Sequence, residues 1–415
     1  MNRKLFNLNI LLILMFNIFV LSCSENPFES NSVEAPSNLQ VVINADNYIV
    51  LSWTDNSTDE NGFMLERNVN NINGQTKVVE LPENTIEWID STAQQFLTYE
   101  YFLWAFNSES NSDTTQQSFF VKFNEAVINV PSDFQTIQSA IDIATDGDTI
   151  IVAEGTYIEN IILDGKDLSL ISTFFRQRDF GIVGRTIIDG NGTGSVITIQ
   201  NTYGRTIKPY IGGFTITNGN SHYGGGIQNE SANPLIEYCI IEWNTATQGG
   251  GISSFRWAWG GISNSIIAHN TGMGCYLADN SGPIFTNVLI YDNTSTDVVD
   301  GIDCLGSSKP KFENVTVYNN NIRLGLCNTM WKNSIISPLI VGDFSQWIRY
   351  CNVGGYQEHE GNIFSESQFV DAENGDFHLQ PTSPCIDAGN PDEEYNDPDG
   401  SRNDMGAYGG PGGNW

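Results

Sequence analysis

Gly251-Ile252-Ser253-Ser254 and, after a turn, Ile266-Ile267-Ala268-His269-Asn270 form one of five glycine-led segments that recur along the chain. The segments open at Gly226, Gly251, Gly274, Gly301 and Gly325, with spacings of 25, 23, 27 and 24 residues. A period of roughly 20 to 50 residues is typical of stacked units that cannot bury their apolar faces alone. The apolar runs are short and β-branched, lie between Gly, Asn, Ser and Pro, and lack a helical period, which predicts strands and tight turns. We therefore predict a right-handed parallel β-helix.

Two columns of asparagine recur in register with this repeat. One column precedes the second apolar run of each segment and the other follows it: Asn264, Asn287, Asn314 and Asn333 in the first, and Asn244, Asn270, Asn293 and Asn320 in the second. Parallel coils stack about 4.8 Å apart, so a buried Asn amide reaches the Asn above and below it. Asn also tolerates the left-handed backbone of a sharp corner. We predict that both columns are structural ladders; a sugar groove lined by Asn is the alternative.

The chain is strongly acidic. Its 415 residues include 18 Lys and Arg against 49 Asp and Glu, a formal net charge of −31. Such a charge repels nucleic acid and anionic lipid head groups, so no nucleic-acid partner is expected. It suits cations, neutral glycans or a saline exterior, and a plain solvated acidic surface is the alternative. The length exceeds that of one ordinary domain, and a hydrophobic content of 40% suffices for buried cores.

The first 22 residues have the pattern of a secretory signal peptide. A basic start, Met1-Asn2-Arg3-Lys4, precedes an apolar stretch interrupted by Asn. The order Val20-Leu21-Ser22-Cys23 resembles the lipobox of bacterial lipoproteins. This resemblance implies cleavage before Cys23 and its lipidation, and hence anchoring to the outer membrane or cell surface of a Gram-negative bacterium; a plain secretory signal is the alternative. Residues 23–34 are rich in Ser, Asn and Glu and predict a flexible tether.

Residues 35–123 predict an antiparallel β-sandwich. Short alternating runs, such as Ile49-Val50-Leu51-Ser52-Trp53, are separated by Asn, Asp and Gly turns. The pattern resembles a fibronectin type III domain, because Trp53 matches the core tryptophan of that family, and the residues around its tyrosine corner are matched by Leu97, Tyr99 and Tyr101. Domains of that family are usually spacers or adhesion modules, so the resemblance implies no catalysis.

Residues 127–374 contain the predicted β-helix. The segment 130–144 predicts an amphipathic capping helix with Ser132 or Asp133 as N-cap and an apolar face of Phe134, Ile137, Ala140 and Ile141. Such a helix would cover the open edge of the first coil. Gly155-Thr156-Tyr157-Ile158-Glu159 resembles the opening of pectin-active β-helix proteins, including pectinesterases. The catalytic segments of pectinesterases and polygalacturonases are missing from the sequence, so this pectin lyase-like resemblance implies the fold and not the chemistry.

The last residues, 375–415, are expected to form a C-terminal capping segment. Two stretches, Ser383-Pro384-Cys385-Ile386-Asp387-Ala388-Gly389 and Asp397-Pro398-Asp399-Gly400-Ser401-Arg402, resemble the tail of secreted bacterial right-handed β-helix proteins, the choice-of-anchor Q group. This resemblance implies an extracellular or cell-surface β-helix protein and no particular activity.

Six cysteines follow Cys23: Cys239, Cys275, Cys304, Cys327, Cys351 and Cys385. No Cys-x-x-Cys pair occurs in the sequence, so a zinc site is not expected. Cys304, Cys327 and Cys351 are 23 and 24 residues apart, which predicts that they stack in successive coils. Such a stack allows disulfides or the packing of small apolar side chains, and we favour packing.

An aromatic turn is the main candidate for ligand binding. Phe255-Arg256-Trp257-Ala258-Trp259 interrupts a repeat whose neighbouring turns are small and polar. Trp257 and Trp331 each stand six residues after an opening glycine, which predicts that they share a column. Exposed Trp rings stack on sugars and can hold a cation beside them; packing over a coil corner is the alternative. With two residues of the acidic loop 297–303, the candidate substrate-binding set is Arg256, Trp257, Trp259, Trp331, Asp300 and Asp303.

A second acidic loop is a candidate Ca²⁺ site. Asp397, Asp399, Asn403 and Asp404 offer the oxygen ligands that Ca²⁺ prefers, although the full EF-hand spacing is missing. A solvated loop is the alternative. No other cofactor is expected, and no order of Ser, His and Asp in the sequence indicates an acyl-transfer triad.

Two functions fit these observations. The first is a monomeric, surface-anchored lipoprotein whose β-helix binds a polysaccharide or a cell-surface protein, with the fibronectin-like domain as spacer. The second is a polysaccharide lyase or glycoside hydrolase with unknown catalytic residues. Cleavage needs paired carboxylates or a basic proton abstractor near Ca²⁺. The missing catalytic motifs and the scarcity of basic residues favour the binding protein.

Overall fold

The computed structural model describes residues 33–69, 76–93, 97–121, 126–202, 204–337, 340–342, 347–356 and 358–415. The chain forms two compact units that separate after Val121. The predicted signal peptide and the lipidation site Cys23 lie outside the described residues. Within the described part of the chain, no helix is both long enough and apolar enough to cross a membrane.

The first unit is an antiparallel β-sandwich. Its strands are β1 (Ser37–Ile43), β2 (Ile49–Thr54), β3 (Gly62–Val69), β4 (Lys77–Pro82), β5 (Glu87–Asp90), β6 (Thr98–Phe106) and β7 (Thr115–Phe120). One sheet has the order β1-β2-β5, and the other has the order β4-β3-β6-β7. This is the fibronectin type III arrangement that the sequence predicts.

The core of the sandwich contains the aromatic residues that carry the family resemblance. Trp53 is buried and meets Phe63 edge to face, with ring centroids 5.7 Å apart. Tyr101 is buried as well, and its hydroxyl donates a hydrogen bond of 3.1 Å to the carboxylate of Asp90. Arg67 pairs with the same carboxylate at 2.6 Å, so the buried charge of Asp90 is compensated.

The second unit is a right-handed parallel β-helix with three faces. Faces 1 and 2 belong to one 16-stranded sheet, and face 3 is a separate sheet of 8 strands. Three long strands contribute their first half to face 1 and their second half to face 2: Gly261–Ala268, Ile284–Tyr291 and Lys311–Tyr318. Short strands on either side of them complete these two faces.

Each face is a stack of strands from successive coils. The other strands of face 1 are Val127–Val130, Thr149–Val152, Ser169–Ser172, Tyr210–Gly212, Leu235–Glu237, Met330–Lys332 and Ile348–Arg349. Those of face 2 are Gly155–Ile158, Thr186–Asp189, Thr215–Thr217, Ile240–Glu242, Ile335–Ile336 and Asn352–Val353. Those of face 3 are Ile161–Asp164, Ile197–Gln200, Ile227–Glu230, Ile252–Phe255, Cys275–Leu277, Ile302–Leu305, Ile322–Gly325 and Ile340–Gly342.

Smaller elements decorate the β-helix. The turns carry a parallel strand pair, Asn220–Tyr223 and Thr245–Gln248, and near the C-terminus an antiparallel pair, Phe369–Asp371 and Asp376–Leu379. A short helix and three 3₁₀ turns complete the unit: Phe174–Gln177, Phe180–Arg185, Ala372–Asn374 and Glu393–Tyr395.

A helix of seven residues, α1 (Ile137–Ile143), packs on the first coil and buries Ile137, Ala140 and Ile141. Thr136 is its N-cap, so the prediction of Ser132 or Asp133 is wrong, and Phe134 lies before the helix. The carboxylate of Glu159 accepts hydrogen bonds of 2.9 Å from the backbone N–H groups of Ile137 and Gln138. The glutamate of the pectinesterase-like opening therefore caps the helix that covers the solenoid.

The asparagines that follow the second apolar run form an inner ladder: Asn244, Asn270, Asn293 and Asn320. All four are buried, and each side-chain amide donates to the amide oxygen of the next, at 3.1, 2.9 and 2.8 Å. This confirms the predicted ladder. The same amides also donate to backbone carbonyls, so few of their polar atoms remain unpaired in the interior.

The repeated glycine packs against the inner ladder. A Cβ atom on Gly251 would lie 2.6 Å from the carbonyl oxygen of Gly274 and 3.1 Å from the Asn270 amide, so no larger residue fits. Gly325 differs, because it ends the strand Ile322–Gly325 and pairs with Leu305. The coil from Ile302 to Ile322 is short, with a repeat of 20 residues (322 − 302), so the predicted five-glycine register is wrong in its last coil.

The asparagines that precede the second apolar run form an outer column instead: Asn264, Asn287, Asn314 and Asn333. Their φ angles of 47 to 54° are left-handed, as predicted for a corner. Their amides, however, bind the backbone of the C-terminal residues. Asn264 donates to Gly412 at 2.7 Å, and Asn287 donates to the carbonyls of Ala407 and Gly409. Within the column, only Asn333 donates to the amide oxygen of its neighbour Asn314, at 3.5 Å, so the predicted ladder is limited to this one pair.

Residues 404–415 form a strap along the corner between faces 1 and 2. The backbone of Gly406 donates to the Asn333 carbonyl in a late coil, while the Gly412 carbonyl meets Asn264 in an earlier one. Further along, the ring of Trp415 meets Phe180 edge to face at 5.7 Å. The strap thus runs along the side of several coils, whereas we expected the whole C-terminal segment to cap the end.

The six cysteines in the described part of the chain are free thiols, and all except Cys327 are buried. Cys304 pairs in register with Leu277 and Leu324, so the three cysteines Cys304, Cys327 and Cys351 do not form the predicted in-register column. The thiols of Cys304 and Cys327 nevertheless hydrogen-bond to each other. The short coil after Ile302 shifts the later residues out of that column. Packing, which we favoured over disulfides, describes their state in this structure.

Candidate functional site

An open groove with a volume of about 560 Å³ lies on the outer surface of face 1. Strap residues Pro411 and Gly412 line one side, and Gly260, at the end of the aromatic turn, lines another part. Its floor consists of side chains from successive coils: Leu235, Glu237, Ser263, Ile284, Thr286 and Glu313.

The polar residues of the floor stand in one column. Glu237 pairs in register with Ser263, Ser263 with Thr286, and Thr286 with Glu313. Their strand neighbours Ile236, Ile262, Phe285 and Phe312 are buried in the interior. Because successive side chains of a strand point to opposite faces, the column points outward into the groove.

The two carboxylates of this column have different environments. Glu237 accepts hydrogen bonds from the hydroxyls of Tyr210, at 2.5 Å, and Ser263, at 3.0 Å. Burial raises the pKa of Glu313, an effect that the charge of Lys332 partly opposes. Glu237 and Glu313 are three coils apart, which is about 14 Å at a coil spacing of about 4.8 Å.

The aromatic turn adjoins this groove through Trp259. Its ring lies over Gly282, where an added Cβ would be 2.6 Å from the ring, two residues before Ile284 of the floor. The backbone N–H of Trp259 bonds to Ala232 and Asn233, which fixes the turn to the preceding coil. Trp259 is 39% exposed, and its chain neighbour Gly260 lines the groove.

Trp257 and Arg256 occupy the exposed part of the same turn. Trp257 is 65% exposed, and both residues have a left-handed backbone, with φ of 64° and 55°. The guanidinium of Arg256 pairs with Glu230 and lies 5.6 Å from the ring of Phe255. A left-handed backbone is unfavourable for such bulky residues, which makes this turn a candidate for function.

Trp331 does not belong to the predicted surface column. It is only 2% exposed and stacks on Phe312 at 3.9 Å, which in turn stacks on Phe285 at 4.9 Å. Its place in register is beside Phe312 on face 1, whereas Trp257 lies in the turn after face 3. The prediction that Trp331 contacts a ligand is therefore wrong; the displaced glycine register caused this error.

The acidic loop 297–303 is engaged within the protein. Asp303 is 1% exposed, and Arg323 binds its carboxylate through two nitrogens at 2.8 and 2.6 Å. Arg323 also pairs with Asp297 at 3.2 Å. Asp300 accepts the backbone N–H of Asn321, and burial raises its pKa. The structure thus assigns Asp303 to an ion pair rather than to ligand contact, and it brings neither Asp300 nor Asp303 to the groove.

The predicted calcium ligands are engaged in hydrogen bonds within the protein. Asn403 is fully buried and its amide donates to Asn314 and to the carbonyl of Tyr395. Asp397 accepts the backbone N–H groups of Asp404 and Gly410, and Asp399 binds Ser401. Among the described residues, no group of three or more His, Cys, Asp or Glu side chains could hold a metal ion. The four-residue Ca²⁺ prediction is wrong for Asn403, whose position supports the strap.

Sequence reasoning missed the groove column. Glu237, Ser263, Thr286 and Glu313 each stand one residue before the outer-column position, which Tyr238 occupies in the first coil, so the same alignment contains them. The signal was weak, because the residue type changes from coil to coil and the groove depends on a strap that lies far away in sequence.

The comparisons with known proteins agree with this architecture. Residues 195–375 match a family model described as a right-handed beta helix region. A search of the curated proteins found no match. The fold is therefore an all-β chain with an N-terminal fibronectin type III sandwich, a short capping helix and a right-handed parallel β-helix.

Several solved structures match part of this chain at low identity. A structure titled as a myokine is 17% identical, and the match covers 22% of this chain and 100% of that chain at a TM-score of 0.20. The fibronectin type III domain of the human collagen alpha-1(XX) chain is 18% identical, with 23% and 91% covered and a TM-score of 0.21. The third fibronectin III domain of the human KIAA0343 protein is 12% identical, with 24% and 90% covered and a TM-score of 0.21.

Proposed function

We propose that the β-helix is a polysaccharide-binding module whose groove on face 1 holds a neutral glycan. The observation that carries this proposal is the outward column of Glu237, Ser263, Thr286 and Glu313, which lays hydroxyl and carboxyl groups along an open groove. Leu235 and the aliphatic Ile284 add apolar surface beside the column. Sugar rings carry both hydroxyls and apolar faces, so mixed polar and apolar walls suit them.

Charge favours a neutral ligand. The groove has carboxylates at two of its four column positions, and the whole chain has a formal charge of −31. A polymer of uronic acids would meet repulsion from Glu237, Glu313 and the field of the protein. A neutral glycan avoids this cost and can donate hydroxyl hydrogens to both carboxylates.

The alternative, a polysaccharide lyase or glycoside hydrolase, lacks support from this column. Glycosidase carboxyl pairs are typically about 5 to 10 Å apart. Glu237 and Glu313, at about 14 Å, exceed that separation. The distance supports binding over hydrolysis by this pair.

The sharpest test blocks the groove. Thr286→Arg places a long cation in the middle of the column, and Thr156→Arg, on an exposed strand of face 2, is the matched control. We expect isothermal titration with soluble xylan, glucan and mannan to find at least one neutral ligand, about tenfold weaker with Thr286→Arg and unchanged with Thr156→Arg. Binding only to polygalacturonate, or equal binding by both variants, would overturn the proposal.

The aromatic turn gives a second test of the same proposal. We expect Trp257→Ala combined with Trp259→Ala to weaken glycan binding while circular dichroism keeps the wild-type strand signal. Loss of the strand signal or early melting would instead assign both rings to packing, as Trp259 over Gly282 already suggests in part. Depolymerisation of any bound glycan by the wild type, measured as new reducing ends, would favour the enzyme.

We further propose that Cys23 carries a lipid anchor and that the fibronectin-like domain is a spacer between the membrane and the β-helix. The support is the lipobox-like order Val20-Leu21-Ser22-Cys23 and the tether that follows it. Cys23→Ser should move the protein from the membrane fraction to the soluble fraction of the producing cell. Unchanged membrane association would refute the anchor and leave the groove unaffected.

A further inference from the structure

Five successive coils turn sharply after face 2 with a left-handed residue at the same position. The residues are Asn218, Trp243, His269, Asp292 and Asn319, with φ between 48 and 61°. Asn and Asp adopt this conformation easily, whereas Trp and His do so at a cost. Two adjacent coils therefore carry unfavourable residues where the other three carry favourable ones, and strain of this kind often marks a functional position.

The two unfavourable residues form one aromatic surface. The rings of Trp243 and His269 are stacked, with centroids 4.8 Å apart and planes within 16°. The ring of Tyr291 then meets His269 edge to face at 5.1 Å. His269 stacks on the indole, no other ring in the described part of the chain contacts Trp243, and 63% of the residue is exposed, so much of the indole surface is open to solvent. The surface is held in place without being buried.

A carboxyl group lies beside this surface. Glu242, the last residue of its face 2 strand, directly precedes Trp243 and points outward, since Ile241 is buried. Burial raises the pKa of Glu242, and the charge of His269 acts in the opposite direction. Within the described part of the chain, neither the Glu242 carboxyl nor the indole N–H of Trp243 has a hydrogen-bond partner. Both remain available to a ligand.

We propose that Trp243, His269 and Glu242 form a second saccharide platform, at the corner between faces 2 and 3, that takes one neutral sugar ring. The open indole face would stack on the apolar side of the ring, and Glu242 would accept a hydrogen bond from a ring hydroxyl. The ligand class rests on the proposed function, but the residues do not overlap with the groove.

The platform and the aromatic turn occupy different corners of the same coil. Trp243 precedes the strand Thr245–Gln248, while Trp257 follows Ile252–Phe255, on the far side of face 3. A short oligosaccharide bound at one corner would therefore leave the other free, and a long chain that binds both would gain from two attachments.

The test exchanges the strained residues for the one that their turn favours. Trp243→Asn and His269→Asn restore the residue type found at 218 and 319, so we expect a melting temperature equal to or above that of wild type. Binding of cellohexaose, xylohexaose and mannohexaose is measured by isothermal titration, with Trp347→Ala as the control for loss of an exposed tryptophan. We expect the affinity of at least one hexasaccharide to fall at least tenfold in Trp243→Asn and to stay unchanged in Trp347→Ala.

Glu242→Gln tests the contribution of the carboxyl group while the ring stack stays unchanged. It should lower the same affinity about threefold or more. Binding that Trp243→Asn leaves intact but Thr286→Arg abolishes would overturn this inference and leave the proposed groove standing. Binding that Trp243→Asn abolishes but Thr286→Arg leaves intact would overturn the proposed groove and leave this inference standing. No binding of any hexasaccharide, or a melting temperature lowered by Trp243→Asn, would also overturn the inference.

Discussion

The inner ladder and the outer column carry the same residue with nearly the same period, yet only the inner one is a ladder. Asn270 exchanges hydrogen bonds with Asn244 and Asn293 inside the β-helix. Asn287, on the outside of a corner, donates to the backbone of the strap. The repeat sets where an asparagine recurs, and the chain segment that lies opposite decides what its amide binds.

Asn270 and Asn287 also differ in what surrounds them. Around Asn270 the neighbours are buried amides and carbonyls that no water can reach once the partner is lost. Asn287 is itself only 2% exposed, but it lines the groove, which water can enter once the strap is released. An unpaired group costs more in the first environment than in the second, so the same substitution should have unequal effects.

The largest effect is expected from Asn270→Leu. The change removes the donors to Asn293, Ala268 and Ile241 and the acceptor for Asn244. Several buried groups then lack partners, which should lower the free energy of unfolding by about 3–5 kcal/mol. Denaturant unfolding followed by circular dichroism measures this loss. If the loss is no greater than that of Asn287→Leu in the outer column, the comparison is contradicted.

A smaller effect is expected from Asn287→Gly. Glycine keeps the left-handed backbone at φ 54° and deletes only the two hydrogen bonds to the strap. The free energy of unfolding should fall by about 1–2 kcal/mol. Limited proteolysis should now cut within the strap while the β-helix stays resistant. Asn287→Leu should cost more, because leucine adds backbone strain at this position.

The end of the strap should contribute less still. Trp415→Ala deletes the edge contact with Phe180 and the indole hydrogen bond of 3.1 Å to the Ala407 carbonyl. We expect a loss of about 1 kcal/mol and faster proteolysis of the last residues. Trp347→Ala serves as the control; an equal change in both variants would mean that the strap end adds nothing of its own.

The smallest effect is the pH dependence of the strap. Burial raises the pKa of Asp404 from 3.8 to about 6, and the nearby charges of Asp397, Asp387 and Asp399 act in the same direction. The folded state therefore holds the proton more tightly than the unfolded one, and this stabilisation, complete below about pH 3.8, is lost as the pH rises through about 6. The melting temperature should fall less between pH 5 and pH 8 in Asp404→Asn than in wild type. An identical fall would refute this role.

Much of the fold could be predicted from the sequence because its determinants are local. The glycine period follows from the lack of space beside the inner ladder, as at Gly251, and the alternation around Trp53 defines a sandwich strand. The register failed where a coil became short. No residue after Ile302 signals that the next coil has fewer residues. Gly325 was therefore aligned with Gly301 instead of Leu305, four residues away, and Trp331 was misplaced.

The candidate site was less predictable for a different reason. The groove needs Gly412 beside Asn264, and these residues are 148 positions apart in the chain. The turn 255–259 was predicted from its composition alone, since two tryptophans and an arginine are unusual in a turn. The Trp243 platform became visible only through its left-handed backbone, which a sequence does not display.

The strap also has a consequence for the size of the solenoid. Its backbone meets one outer-column asparagine per coil, at Asn333, Asn314, Asn287 and Asn264. The length of this tail therefore has to match the number of coils that it contacts. In a chain that gained a coil between Asn264 and Asn314, the distance from the first to the last attachment would increase by about 4.8 Å. Roughly one or two more tail residues would then be needed to reach the last attachment. Coil insertion and tail extension would have to occur together.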